Sequence, residues 1–417
     1  MRIGFLTPEF VTERYFSGGL AHYIYRISLA LVGMGHEVHV ITLSEEPPAE
    51  FEHKGIWISR INNSAKLFSW LNRFSFLKLR STMKLLSLSY SFYVKLKELH
   101  IRRPFDIVQY ANYNSCGLVS SILLPIPFML RISTYTPAWH EHQGVRRTLD
   151  MKAVEFLERL QLRVSSNIYA PSHALKQMLE EKTAAGTVRV VRTPFFLETD
   201  TRDSSVYEGM LQGKQYLLFF GRLQLHKGVH ILAETLPGFF KANPECYAAI
   251  VGMDVLTRLA SSMKDYLISR CAEFADRLVF IGQIPHEQLY PVIQGARVVV
   301  LPSLIDNLPN ACLEAMALAK PIVGTRGASF EEMIADGESG FLVPPGDSQA
   351  LGHKLCEAWT HPRLDAIGRA AKVAVQAYAP EETVRAFLAY AQSVAGHSSM
   401  STQKRGEEDL CAPRHSI

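Results

Sequence analysis

Four charged residues in the second half of the chain, Arg222, Lys227, Asp306 and Glu314, stand where strand-like runs give way to helix-like ones. Arg222 and Lys227 follow the apolar run QYLLFFG (215–221), and Gly228 comes directly after Lys227. Two cations at a strand end, beside the free N–H groups of a helix start, make an anion site suited to a diphosphate. Glycine there lets backbone approach a ligand closely. A solvated loop with two incidental bases is the competing reading. Asp306 and Glu314 lie eight positions apart in LPSLIDNLPNACLEAMALAKPIVGT (301–325). Pro309 suits the first helical position, which places the positive end of a helix over 309–318 between the two acids. Carboxylates accept hydrogen bonds from neighbouring hydroxyls and so fit a sugar or ribose. Against this stand a plain helix cap at Asp306 and a surface Glu314. A third stretch, YFSGGLAHYIYRISLAL (15–31), sets Gly18 and Gly19 between a strand and a helix, where N–H groups can face a phosphate. It is not a G-x-G-x-x-G motif, and a simple turn reads the same way.

The elements that must hold these residues alternate. RIGFLT (2–7), EVHVIT (37–42), DIVQY (106–110), PFMLRIS (127–133) and NIYA (167–170) read as strands in the first half. A helix from about Leu20 to Met34 follows the first strand, and Gly35 closes it. The second half repeats the pattern with QYLLFFG, CYAAIVG (246–252), RLVFIG (277–282), RVVVLP (297–302) and PIVGT (321–325). Strands alternating with helical lengths predict parallel sheets covered on both faces, here two doubly wound, Rossmann-like α/β domains facing a cleft. The expected boundaries are 1–195 for the N-terminal domain, 196–212 for a polar linker and 213–378 for the C-terminal domain. A last helix over 379–395 returns to the first domain, and 396–417 is expected to be a disordered tail. In such sheets ligands sit beyond the carboxyl ends of the strands, which is where all three stretches fall.

Composition narrows the class. Of 417 residues, 47% are apolar and 20% charged, as in an ordinary globular protein, and the net charge of +4 gives no case for nucleic acid. Six scattered cysteines form no C-x-x-C pair and are expected to be reduced thiols. The N-terminus runs straight into a strand pattern, so no signal peptide is expected, and ILLPIPFML (122–130) is too short to span a bilayer. The reading is of a cytoplasmic protein.

The three stretches together resemble the GT-B-fold glycosyltransferases of family 4, the retaining group also called glycosyltransferase group 1. The likeness runs over about residues 1–395 and is strongest over 216–346, where GRLQLHKG, VGMD, VFIGQIPHEQL, LPSLIDNLPNACLEAMALAKPIV and DGESGFLVPPGD follow in the family's order. GGLAHYIYRISLALVGMGHEVHVIT (18–42) is similar to its N-terminal signature. The resemblance implies a UDP- or GDP-sugar donor, with Arg222 and Lys227 on its diphosphate and Gly18 and Gly19 approaching from the other domain. It implies Glu314 on the ribose, Asp306 on the donor sugar, the backbone of Asn307 and Leu308 as donors, and Gln283 and Ile284 at the base. Asp306 replaces the family's Glu and is one methylene shorter. The implied mechanism is retaining and needs no metal or other cofactor. The histidine that the family often places after the strand PFMLRIS is missing here. Ser133, Thr134 and Tyr135 stand there instead, with His140 and His142 a little later. Arg131, Ser133 and His140 are the weaker candidates.

The acceptor is read from residues 60–103, which hold ten Lys or Arg and one acid, Glu98, among many aromatic and aliphatic residues. Lys66, Arg73, Arg80 and Lys84 fall on one helical face, and Leu67, Leu71 and Phe74 on another. This pattern fits a helix on an anionic membrane surface and hence a lipid-linked or other saccharide acceptor; a core helix pair with basic outer faces is the alternative. A sugar-nucleotide epimerase or hydrolase on the same fold, and a non-catalytic nucleotide-sugar-binding protein, are the competing functions.

Overall fold

The structure, a computed structural model, describes residues 1–14, 19–63, 79–137, 148–183, 186–199, 201–327 and 329–410, with backbone alone over 397–410. The first sheet contains β1 (Arg2–Thr7), β2 (Glu37–Leu43), β3 (Glu50–His53), β4 (Ile56–Ile61), β5 (Ile107–Ala111), β6 (Phe128–Arg131), β7 (Ile168–Ala170) and β8 (Val188–Val190). Among these strands run α1 (Gly19–Gly33), α2 (Arg80–Arg102), α3 (Leu118–Leu123), α4 (Leu149–Val164) and α5 (His173–Lys182). A short helix α6 (Ser205–Met210) precedes the second sheet of β9 (Gln215–Phe220), β10 (Cys246–Val251), β11 (Leu278–Ile281), β12 (Val298–Leu301), β13 (Ile322–Thr325) and β14 (Phe341–Val343). Its helices are α7 (Val229–Ala242), α8 (Met263–Arg270), α9 (His286–Gly295), α10 (Asn310–Ala317), α11 (Ser348–Trp359) and α12 (Leu364–Ala374), and α13 (Pro380–Leu410) ends the described chain.

The strand orders are β3-β4-β2-β1-β5-β6-β7-β8 and β11-β10-β9-β12-β13-β14. The pairings are parallel, with β3 on β4 the antiparallel exception. Central strands such as β5, IVQYA, and β9, QYLLFF, are apolar on both faces because helices cover both sides. Each sheet changes direction at its central strand, β1 in one and β9 in the other. At such a point neighbouring strand-end loops diverge to opposite faces and leave a crevice. The loops after β1, β9 and β12 therefore carry the predicted site residues to a place the topology itself opens.

Helix α13 closes over the first sheet. Phe387 stacks on Phe5 with ring centroids 6.2 Å apart, and Tyr390 meets Tyr169 edge-on at 6.1 Å. Burying one such phenylalanine contributes about 1.5–3 kcal/mol. The two sheets are also joined directly. The Glu332 carboxylate, from the second half, accepts from the backbone N–H groups of His173 (2.9 Å) and Ala174 (2.8 Å) at the start of α5. Ser329 Oγ donates to Ser172 Oγ at 3.2 Å beside them.

Several expectations are corrected. The stretch 196–212 is not a bare linker. It carries α6, and Leu211 is buried in the second core. Helix α13 runs on through residues 396–410, where Gln403, Lys404, Arg405, Glu407 and Glu408 are good helix formers. Residues 60–103 are not one amphipathic surface helix. Their start closes β4, and α2 begins only at Arg80 and buries Met83, Leu88, Phe92, Leu96 and Leu99 in the core. The residues read with it at 66–77 lie outside the described residues. The hairpin β3–β4, absent from the sequence reading, turns at Lys54 and Gly55, both with positive φ (51° and 81°), the conformation a two-residue hairpin requires.

Candidate active site

Strand β9 ends at Phe220, and a single 3-10 turn, Leu225–Lys227, leads through Gly228 into α7. The turn is locked to the loop after β12, since the N–H of Leu304 donates to the His226 carbonyl at 2.8 Å. This brings Lys227 Nζ to 2.5 Å from Asp306 Oδ2, while Asp306 Oδ1 accepts from the N–H of Asn307 at 3.0 Å. A sequence separation of 79 residues collapses to one ion pair because β9 and β12 are neighbours. Arg222 is exposed, and its charge reaches Tyr113 in the first domain.

Helix α10 begins one residue later than expected. Pro309 is its N-cap, with φ −69° and ψ 108°, and no side chain caps the first N–H groups. Its positive end faces the start of α1, where a Cβ on Gly19 would lie 3.1 Å from Asn310 Nδ2. Two helix N-termini thus converge beside the Lys227–Asp306 pair, and both favour negative charge. Gly18 lies outside the described residues. Gln283 is exposed in the loop after β11, and Ile284 packs partly against the second core. Leu308 and Asn307 are half-buried.

Glu314 lies inside α10 and is buried, not a surface residue. Its Oε1 faces His286 Nε2 at 3.4 Å and Arg26 Nη2 at 3.9 Å. The same two residues also hold Glu198. Its Oε1 lies 3.0 Å from Arg26 Nη2 and 2.5 Å from His22 Nδ1, and its Oε2 lies 3.3 Å from His286 Nδ1. Burial opposes ionisation of Glu198, but the hydrogen bond and charge of His22, with Arg26 and His286, hold it down to about 2. Burial likewise opposes charging of His286, yet Glu314 and Glu198 raise it above the ordinary histidine value. His22, Arg26, Glu198 and His286 were missed in the sequence. An arginine four residues after a histidine on an otherwise apolar helix was the available signal, and Glu198 sat in a stretch read as linker.

On the first-domain side, Ser133 follows β6. Its N–H donates to Asn112 Oδ1 at 2.8 Å, and its carbonyl accepts from Asn307 Nδ2 of the other domain at 2.5 Å. Asn112 in turn donates to buried Glu158 Oε1 at 2.7 Å, and burial pushes that carboxyl up. Ser133 therefore reaches the Asp306 loop through its backbone. Arg131 does not reach it. It is buried under α1, with its guanidinium 3.7 Å over the Tyr23 ring and Nη2 donating to Thr193 Oγ1 at 3.1 Å. His140 and His142 lie outside the described residues. A separate groove of about 490 Å³ between the β3–β4 hairpin and α2, lined in part by Arg60, Tyr90, Val94 and Lys95, contains none of these groups.

Residues 17–198 match the family model described as Glycosyltransferase Family 4, and residues 214–361 match that of Glycosyl transferases group 1. The chain belongs to the group 1, family 4 glycosyltransferases. Among relatives of this glycosyltransferase, a D-inositol 3-phosphate glycosyltransferase from Corynebacterium diphtheriae is 27% identical over 36% of the chain, and the match spans only 35% of that relative. The fold is GT-B. Sucrose-phosphate synthase from Thermosynechococcus elongatus superposes with a TM-score of 0.77 at 19% identity, over 95% of this chain and 99% of that one. HepE from Anabaena, solved with UDP and glucose, gives 0.69 at 17% identity, over 94% and 100%. No helix among the described residues is long and apolar enough to cross a membrane.

Proposed function

We propose that this glycosyltransferase moves a hexose from a UDP- or GDP-sugar to a hydroxyl acceptor with retention of configuration, and without a metal or other cofactor. The observation that carries the reading is the Lys227–Asp306 pair, set at the sheet's switch point beside two converging helix N-termini. Lys227, Arg222 and the α10 N-terminus stabilise the charge that grows on the leaving diphosphate. Asp306 and the backbone of Asn307 and Leu308 hold the donor sugar, Glu314 the ribose, and Gln283 and Ile284 the base. As the bond from the anomeric carbon to the phosphate oxygen breaks, the acceptor oxygen bonds to that carbon on the same face. The acceptor's proton passes to the departing phosphate oxygen. Because Lys227 is neutralised by Asp306 in the unliganded pair, the diphosphate must share it, which couples diphosphate and sugar binding.

The acceptor we assign is a lipid-linked saccharide at an anionic membrane face, in polysaccharide or glycolipid synthesis. The excess of basic residues over 60–103 supports this. Arg60 pairs with Glu13, Lys95 and Arg102 pair with Glu50 and Glu98, and Arg103 pairs with Glu37, so the supporting charge lies in residues 66–84 and at exposed Lys97. Flotation with anionic liposomes at low salt tests this point, and failure to bind removes the membrane assignment. The test of the donor site is a thermal-shift panel of nucleotide sugars. Lys227→Ala should weaken the best ligand about 10–100-fold, as loss of a charge-assisted contact predicts. An unchanged shift refutes the site, and NMR of the product's anomeric configuration tests retention.

A further inference from the structure

The cluster around Glu314 is assembled from four separate parts of the chain. His22 and Arg26 come from α1, Glu198 from the crossover between the sheets, His286 from the start of α9 and Glu314 from within α10. Its geometry is specific. The two nitrogens of His286 face two different carboxylates, Nδ1 towards Glu198 at 3.3 Å and Nε2 towards Glu314 at 3.4 Å. A ring in that position can satisfy both only as a double donor, and so only as an imidazolium. Glu198 is fixed in turn, because its N–H donates to Tyr290 Oη at 3.1 Å, one helical turn after His286. Arg26 is 1% exposed, lies 4.8 Å over the Phe195 ring, and its Nη1 also reaches Asn310 Oδ1 at 3.5 Å. Its guanidinium therefore reaches α10 at two places, the uncapped start at Asn310 and the Glu314 carboxylate one turn on.

These contacts answer a problem the donor site sets. A glutamate has three side-chain torsions, and a carboxylate that must receive two hydroxyls at once loses affinity if it is free to rotate. We propose that His286 and Arg26 are positioning residues that hold the Glu314 carboxylate in the orientation that receives the ribose hydroxyls of the donor. This rests on Glu314 being the ribose acid. It adds that the ribose subsite is completed by the N-terminal domain, since Arg26 belongs to α1. Glu198 holds His286 and Arg26 in place through its two oxygens, and His22 supports Glu198.

The test uses the full chain and calorimetric binding of UDP, GDP and ADP, followed by the 2′,3′-dideoxy form of the best binder. Wild type should prefer the ribo form by about tenfold or more, the value of two hydroxyls on a buried carboxylate. In His286→Ala that preference should fall below about threefold while the dideoxy form binds as in wild type, a result that also shows the site is folded. Arg26→Lys, which keeps the cation, should retain most of the preference. A wild-type preference that survives intact in His286→Ala overturns the inference and leaves the ribose role of Glu314 standing. No preference in wild type, or no binding of any of the three nucleotides, overturns that role and the inference with it.

Discussion

Gly228 links Lys227 to helix α7 in the left-handed conformation, with φ 69° and ψ 19°. A Cβ at this position would lie 1.8 Å from the carbonyl oxygen of Pro302. Cβ contacts under 3.0 Å do not occur, so the carbonyl must retreat by about 1.2 Å. It cannot do so freely. Pro302 directly follows β12, and two residues on Leu304 is bonded to His226 at 2.8 Å. An alanine in left-handed backbone costs about 1 kcal/mol, and overpacking against fixed backbone adds about 1–3 kcal/mol. Gly228→Ala should therefore lose about 2–4 kcal/mol, or about 4–16 °C in Tm for a domain of this size. Gly213→Ala is the control. It has φ 77° and open space around its Cβ, so it should lose only the backbone cost, about 2–4 °C. Scanning calorimetry of both variants, with nucleotide binding measured well below each transition, separates stability from site geometry. Equal losses in the two variants would refute the claim that close contact between the β9 and β12 loops builds the Lys227–Asp306 pair.

The Glu198 carboxyl, held near 2 against an ordinary 4.5, stabilises the fold above the ordinary value, and the contribution disappears as pH falls from 4.5 towards 2. It is worth on the order of 3 kcal/mol. In Glu198→Gln urea denaturation should show a flatter acid limb, and an unchanged limb would count against the cluster. Its partner His286 is shifted upward, so its stabilising contribution has the opposite pH dependence and is lost as pH rises through its folded value. Glu332→Gln replaces a charge on the N-terminus of α5 and should loosen the contact between the domains. Small-angle scattering should show a larger radius of gyration, and the variant should lose about 1 kcal/mol. Scattering identical to wild type would mean that this contact does not hold the domains together.

The periodicity of the chain was enough to set most of the fold. Apolar runs such as YLLFF and YAAIV can be satisfied only between two layers of helices, and their alternation with helical lengths dictates parallel sheets. The order of the motifs from 216 to 346 carried the family, and the residue types at strand ends carried Lys227, Asp306 and Glu314 into one candidate site. The β3–β4 hairpin was not legible because an edge strand such as EFEH is half exposed and reads as polar.

What the one-dimensional pattern could not contain was partnership across long separations. Arg26 and Glu198 are 172 residues apart, and the Asn307–Ser133 contact spans 174, so no local period marks them. The burial of Glu314 and the pairing of Lys95, Arg102 and Arg103 with acids likewise depend on which surfaces face one another. Local sequence determines where strands and helices start, because those choices are made by neighbouring side chains and backbone. Which charges end up neutralised, oriented or left facing the cleft was decided only when the two sheets and α13 packed, because electrostatic pairing depends on distance in space rather than along the chain.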